Sequence, residues 1–200
     1  MTVTEISTQT IKELREKTGA GIMECKNALA KAEGDMKMAE AILKEKAIAS
    51  ASKKSGRTTK EGKIESYIHT GSKVGVMLEI NCETDFVAKT EDFQMLAREI
   101  AMQVAALKPI YLSREEVSEE EMKVQREIYA KEAREEGKKE EIIDKIVDGK
   151  MNKYYEAACL LEQPYMRDDS KKIEDIIKEV VGKLGENITV SRFVRYQVGE

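Results

Sequence analysis

The chain has 200 residues, 41% apolar with Tyr counted and 36% charged, with no Trp and two Pro, which is room for one fair-sized domain plus a small one, rich in solvated helix. A net charge of −4 and a pI of about 5.4 argue against a basic nucleic-acid footprint, and Cys25, Cys82 and Cys159, far apart and without CxxC spacing, argue against a disulfide framework or a zinc site. No window approaches the roughly 20 apolar residues of a membrane span, and MTVTEISTQT lacks the basic start and apolar run of a leader, so the expectation is a reducing, cytoplasmic setting with no membrane partner.

Residues 5–49 read as three short helices. Ile11 and Leu14 share a face of the first, which stops at TGAG, Thr18–Gly21, where glycine permits left-handed backbone. Ile22, Cys25, Leu29 and Ala32 recur at helical spacing in the second. Asp35 is placed to cap the third, which carries Met38, Ile42, Leu43 and Ala47 on one side. Helices of about ten residues are marginal alone, so the three must pack together. Residues 50–62, SASKKSGRTTKEG, have no large apolar residue and read as a linker. Lys53, Lys54, Arg57 and Lys60 make it locally basic. No aromatic residues interleave to stack bases, which favours a solvated hinge over a nucleic-acid patch.

Alternation then replaces helical spacing. Ile64, Ser66 and Ile68 alternate with Glu65, Tyr67 and His69, TGSK (Thr70–Lys73) turns the chain, and Val74, Val76, Leu78, Ile80 and Cys82 alternate with Gly75, Met77, Glu79 and Asn81. This is a hairpin. Thr90 is placed to cap the next helix, whose stripe is Phe93, Leu96, Ala97, Ile100, Val104 and Leu107 and which Pro109 ends. Ser113 with Glu116 and Ser118 with Glu121 are two capping boxes. Residues 118–148 are charged and helical, broken at Gly137, with a thin stripe of Val124 and Ile128 that suits a projecting arm. A helix with Tyr154, Tyr155, Ala158, Cys159 and Leu161 follows. The last helix shows Ile173, Ile176, Ile177, Val180, Val181 and Leu184, stopped by Gly185, and a final strand runs through Ile188, Val190, Val194, Tyr196 and Val198.

The pattern predicts an α+β protein. A three-helix head covers residues 1–52 and a linker 53–62. A core over 63–200 holds a small antiparallel sheet, the hairpin plus the C-terminal strand, packed with helices, and a charged helical arm at about 118–148.

No catalytic constellation accompanies these elements. GxxxxGK[ST], GxSxG and HExxH are all missing, and the single histidine, His69, has no Cys or His neighbour. SEEEM and EAREEGKKEE read as solvated helix faces with i,i+4 pairs. Bond chemistry is disfavoured and binding remains. Candidates are a presented anchor in NCETDFVAKTEDF, residues 81–93, an adaptor acting through the head, or an RNA accessory using the basic linker. Phe86 sits between the strand and the helix. Pattern alone leaves it two readings, a buried core ring or a ring offered to a partner.

Four stretches carry a resemblance. LREKTGAGIMECKNAL (Leu14–Leu29), TDFV (Thr84–Val87) after an alternating strand and NCE, LLEQPYMRD (Leu160–Asp168) and GENITVSRFVRY (Gly185–Tyr196) together, and in this order over essentially the whole chain, resemble the bacterial translation elongation factor Ts family. The resemblance implies a ubiquitin-associated-type (UBA-like) head and an α+β core. It implies a guanine nucleotide exchange factor that binds the GTPase elongation factor Tu and promotes GDP release for GTP reloading, without bond chemistry or a cofactor of its own. GDP, GTP and Mg²⁺ would belong to the partner, and no nucleic acid would be bound directly. Arg15, Ile22 and Met23 in the head would touch the partner's nucleotide domain. Thr84, Asp85, Phe86 and Val87 would act at its Mg²⁺ site, with the Asp85–Phe86 tip inserted beside the nucleotide. Longer members have a duplicated core half and a C-terminal module, whereas this chain stops at Glu200 with three strands. So small a sheet has exposed edges and an incompletely covered face, and a homodimer is the expectation. RFVRY has no Cys, so no disulfide would cross a dimer there.

Overall fold

The computed structural model describes residues 6–200; the first five residues of the expected head lie outside it. The chain divides into two compact units. One gathers the residues up to Gly62 with Asn81–Gln94 and Asp175–Thr189, and the other Lys63–Ile80, Met95–Glu174 and Val190–Glu200.

The three expected helices open the first unit: α1 (Thr8–Thr18), α2 (Ile22–Lys31) and α3 (Met36–Ser52). Ser7 caps α1 by accepting from Thr10 N at 3.1 Å, and Asp35 caps α3 by accepting from Met38 N at 2.8 Å. Gly19, at φ 67°, ends α1 and donates its N–H to Arg15 O. Ile11, Leu14, Cys25, Ala28, Leu29, Ala32, Ala39 and Leu43 form the bundle core. Of the expected stripe of the third helix, Leu43 is buried and Ile42 packs against this core, whereas Met38 is exposed and its neighbour Ala39 is buried. Alanine lets helix backbones approach, and Met38 is the bulkier side chain left outside.

The same unit holds α4 (Asp85–Ala88), the start of α5 (Glu91–Leu107), and most of α8 (Ile173–Leu184). Helix α3 meets α8 closely at Gly182. A Cβ there would fall 2.6 Å from Ala47 Cβ and 3.0 Å from its Cα. Lys44 pairs with Glu179 at 3.7 Å, and Lys183 runs past Gly19 to Asp92 at 2.6 Å.

The strands β1 (Glu61–Ile68), β2 (Val74–Cys82) and β5 (Ile188–Gln197) form an antiparallel sheet of order β1-β2-β5, the expected hairpin plus C-terminal strand. Val76, Leu78 and Ile80 of β2 and Leu96, Ala97, Ile100 and Val104 of α5 are buried. On β1, Glu65 and Tyr67 face α5. Arg98 pairs with Glu65 at 3.3 Å and lies 4.7 Å from the Tyr67 ring centre. Ile64 and Ile68 therefore fall on the opposite face, where they are exposed. His69 is exposed just past β1, its Nδ1 2.9 Å from the Tyr67 hydroxyl.

The arm is a hairpin of α6 (Glu119–Glu135) and α7 (Glu140–Ala158), turned at Gly137, φ 71°. Its seam is Ala133, Ile143, Val147 and Met151, flanked by Met122, Tyr129 and Ala130. Val124 and Ile128 are exposed, because α6 meets the seam through Met122, Tyr129, Ala130 and Ala133 instead. The Tyr154–Ala158 stretch is the end of α7, not a separate helix. Ser118 caps α6, accepting from Glu121 N at 3.1 Å. The Glu121 carboxylate, instead of closing a capping box, accepts from the hydroxyls of Tyr111 and Tyr154. Ser113 makes no side-chain cap bond. A small hairpin of β3 (Pro164–Tyr165) and β4 (Asp168–Lys172) precedes α8.

Candidate partner-binding site

The segment between β2 and α5 is a single helical turn tied at both ends. Thr84 is in extended backbone and its hydroxyl accepts from Val87 N at 3.4 Å, capping α4. At the other end Val87 O accepts from Thr90 N at 3.0 Å and from Thr90 Oγ1 at 2.8 Å. Ala88 O accepts from Gln94 Nε2 at 2.5 Å. Thr90 also caps α5 through Phe93 N, as its position predicts. A one-turn helix has no stability of its own; these bonds and the buried Val87 and Ala88 hold it.

This scaffold turns Phe86 outward, 78% exposed. The ring is not part of the core of the described chain. Val87, the next residue, is 9% exposed and faces inward. Asp85 pairs with Lys89 one turn on, at 2.6 Å, on the surface. The hydrogen bond from Lys89 holds the Asp85 carboxyl below the usual carboxylate range and raises Lys89. The tip therefore offers an ionised carboxylate beside an aromatic ring.

Behind the tip lie acidic residues that pattern reading passed over. Glu186, just after α8, accepts from Thr84 N at 3.0 Å and from the Thr84 hydroxyl at 2.7 Å. Glu83 accepts from Asn187 N at 2.7 Å and pairs with Arg57 at 3.5 Å. Asn187, 4% exposed, donates to Ser55 O and Arg57 O at 3.3 and 2.8 Å. Cys82 Sγ donates to Thr84 O at 3.1 Å; burial, and then the Glu186 charge, push this thiol up to about 11. No local spacing announces such pairs, because their members are a hundred residues apart in the chain. The only trace is that GENITV and NCETDFV both carry an acid just before the gripped amide.

The head residues form a second exposed group in the same unit. Ile22 and Met23 open α2 at 57% and 64% exposure, and Arg15 is exposed on the last turn of α1. Only Ala20 and the two glycines 19 and 21, among 19–21, separate that turn from α2. Adjacent exposed apolar side chains, as Ile22 and Met23 are, have the composition of an interface anchor.

Comparison with known proteins bears on the whole chain. The sequence model of the family described as elongation factor TS matches residues 2–200. Elongation factor Ts of Coprothermobacter proteolyticus is 55% identical over 196 residues, 98% of this chain and 100% of that protein. The proteins of the same name from Thermotoga maritima and Desulforamulus reducens are 54% and 53% identical over 196 residues, covering 98% of this chain and 98% and 90% of their own lengths. The match takes in the head, the Thr84–Val87 turn and the Gly185–Tyr196 stretch alike, and the chain belongs to the elongation factor Ts family.

Proposed function

We propose that the chain is a translation elongation factor of the exchange type, which binds elongation factor Tu carrying GDP and promotes GDP release so that GTP can load. Family membership supports the partner and the class of activity. The observation that carries the mechanism is Phe86, an aromatic ring held 78% exposed on a turn braced at both ends.

An exchange factor performs no bond chemistry and needs no cofactor of its own. It acts by binding the nucleotide-free partner more tightly than the loaded one. Factor and nucleotide then weaken each other reciprocally, each tenfold step being about 1.4 kcal/mol. The Phe86 ring wedges into the partner's packing beside its nucleotide site. Asp85 engages backbone donors there, and Thr84 and Val87 hold the turn. The bound Mg²⁺ of the partner is the target, since an ion that demands near-octahedral geometry is lost when its ligands shift slightly. Arg15, Ile22 and Met23 grip the partner's nucleotide domain. The setting is the cytoplasm, and no nucleic acid is engaged directly; among the described residues no helix is long and apolar enough to cross a membrane.

The homodimer belongs to the same reading. Ile64, Ile68, Met77, Val194 and Tyr196 are all exposed on the sheet face away from α5, a patch of the kind that marks an interface. Two copies pair face to face through it.

The test is release of a fluorescent GDP analogue from elongation factor Tu with Mg²⁺ present. Wild type accelerates release. Phe86→Ala, folded by circular dichroism, loses at least about tenfold of the acceleration, the scale of an interface hot spot. An unaltered mutant would remove Phe86 as the lever; no acceleration by wild type would remove the function.

A further inference from the structure

The turn that carries Phe86 is held by a device that acts from outside it. Each of two sequence-distant Glu-X pairs grips the other. Glu186 takes the amide and the hydroxyl of Thr84, at 3.0 and 2.7 Å, and Glu83 takes the amide of Asn187, at 2.7 Å. The Thr84 hydroxyl that donates to Glu186 is also the cap that accepts from Val87 N, so the Glu186 carboxylate orients the capping oxygen. Thr84 O in turn receives the Cys82 thiol and Ala88 N. Every polar atom of Thr84 is thereby committed. Hydrogen bonds to an ionised acceptor are shorter and stronger than neutral ones, and two to one residue fix its orientation as well as its place.

The other side of the clasp leads to the head. Glu186 and Asn187 follow the last turn of α8, where Gly182 lies against Ala47 of α3 and Lys183 passes Gly19. Gly19 stands between Arg15 and the Ile22–Met23 pair. Six consecutive residues, 182–187, therefore reach the head at Ala47 and Gly19 at one end and the Phe86 turn at Thr84 at the other. An apolar contact would suffice to hold a loop down. A reciprocal pair of carboxylates that fixes one peptide in orientation is what a wedge needs, since a lever delivers force only if its base does not rotate.

We infer that Glu186, reciprocated by Glu83, is a positioning residue for nucleotide exchange: it sets the attitude of the Phe86 turn relative to the end of α8 on which the head rests. The inference rests on the reading of Phe86 as the lever. Glu186 touches neither nucleotide nor partner in this scheme. Its loss leaves the exposed anchors present but the ring free to yield, so it lowers the maximal rate of release more than the concentration of factor needed for half of it.

The experiment is a double-mutant cycle in the fluorescent GDP release assay, over a range of factor concentrations, with wild type, Glu186→Ala, Phe86→Ala and the double variant. Glu186→Ala is expected to cut the maximal acceleration about tenfold, move the half-saturating concentration by less than about threefold, and have less than about a twofold effect once Phe86 is alanine. Glu186→Gln keeps the shape but not the charge. It carries the test if Glu186→Ala does not fold, and its Thr84 amide should exchange with deuterium faster than in wild type. Wild-type acceleration by Glu186→Ala and Glu186→Gln alongside a crippled Phe86→Ala overturns the clasp and leaves the lever standing. An undiminished effect of Glu186→Ala in the Phe86→Ala background overturns it too, because the residue would then act as general support. Wild-type acceleration by Phe86→Ala overturns the lever, and the clasp with it.

Discussion

Phe86 stands where burial would be worth roughly 1.5–3 kcal/mol to a side chain of its size, and the fold forgoes that to keep it outside. The periodicity of neighbouring residues cannot report such a choice, since a loop has no period, and pattern alone leaves a core ring and an offered ring both open. The cysteines show the opposite case. All three are buried and free, as scattered small apolar residues in the sequence lead one to expect. Burial, and then the nearby Glu162 charge, push the Cys159 thiol up to about 11, as burial and Glu186 do for Cys82. Both therefore favour the protonated thiol in the fold. A raised value means that this preference supports the fold in full below the ordinary thiol value, 9.0, and is lost as pH rises through about 11. Neither thiol should react with iodoacetamide in native protein at pH 8.5, while both react in denaturant, read by mass spectrometry. Rapid native labelling of Cys82 would contradict its packing beneath the Phe86 turn.

Elements with a local cause were legible and those with a distant cause were not. Asp35, Thr90 and Ser118 announced their helices because a cap bonds within three residues of itself. The hairpin and the final strand announced themselves by alternation. By contrast α4 is one turn long and exists because Thr84, Thr90 and Gln94 bond its ends. On α3 hydrophobicity rightly marks Leu43 and Ile42, but it favours Met38 where close helix packing selects Ala39. Gly182 carries the same lesson and a prediction. Alanine is the better helix former by about 1 kcal/mol, so propensity alone would make Gly182→Ala stabilising. The new Cβ would lie 2.6 Å from Ala47 Cβ, with the Ala47 backbone just behind it, so α3 or α8 must shift. Overpacking of this kind costs about 1–3 kcal/mol, and the variant should melt lower than wild type by scanning calorimetry. A melting temperature equal to or above wild type would mean that α3 gives way without strain.

At the scale of the molecule the three-stranded sheet presents one face that the described residues leave uncovered. Glu79 and Arg192 pair at 2.7 Å on the face away from α5, and around them Ile64, Ile68, Met77, Val194 and Tyr196, the last 69% exposed, meet no other part of the described chain closely enough to be buried. A single sheet with one apolar face open is a poor end state, because edges and face alike invite association. A second copy supplies an identical apolar face, and a stable pair needs only about 800 Å² from each partner. Light scattering at micromolar concentration should therefore give twice the chain mass of 22.6 kDa. The melting temperature should rise with protein concentration, since unfolding of a dimer is linked to its dissociation. Placing like charges on the face with Ile68→Lys and Tyr196→Lys together should return the mass to that of one chain and flatten the concentration dependence. Neither residue lies in the turn that bears Phe86, so loss of the dimer with exchange activity retained would make pairing a matter of stability alone. A wild-type mass of one chain at all concentrations would refute the pairing, and a double variant that stays dimeric would move the interface off this face.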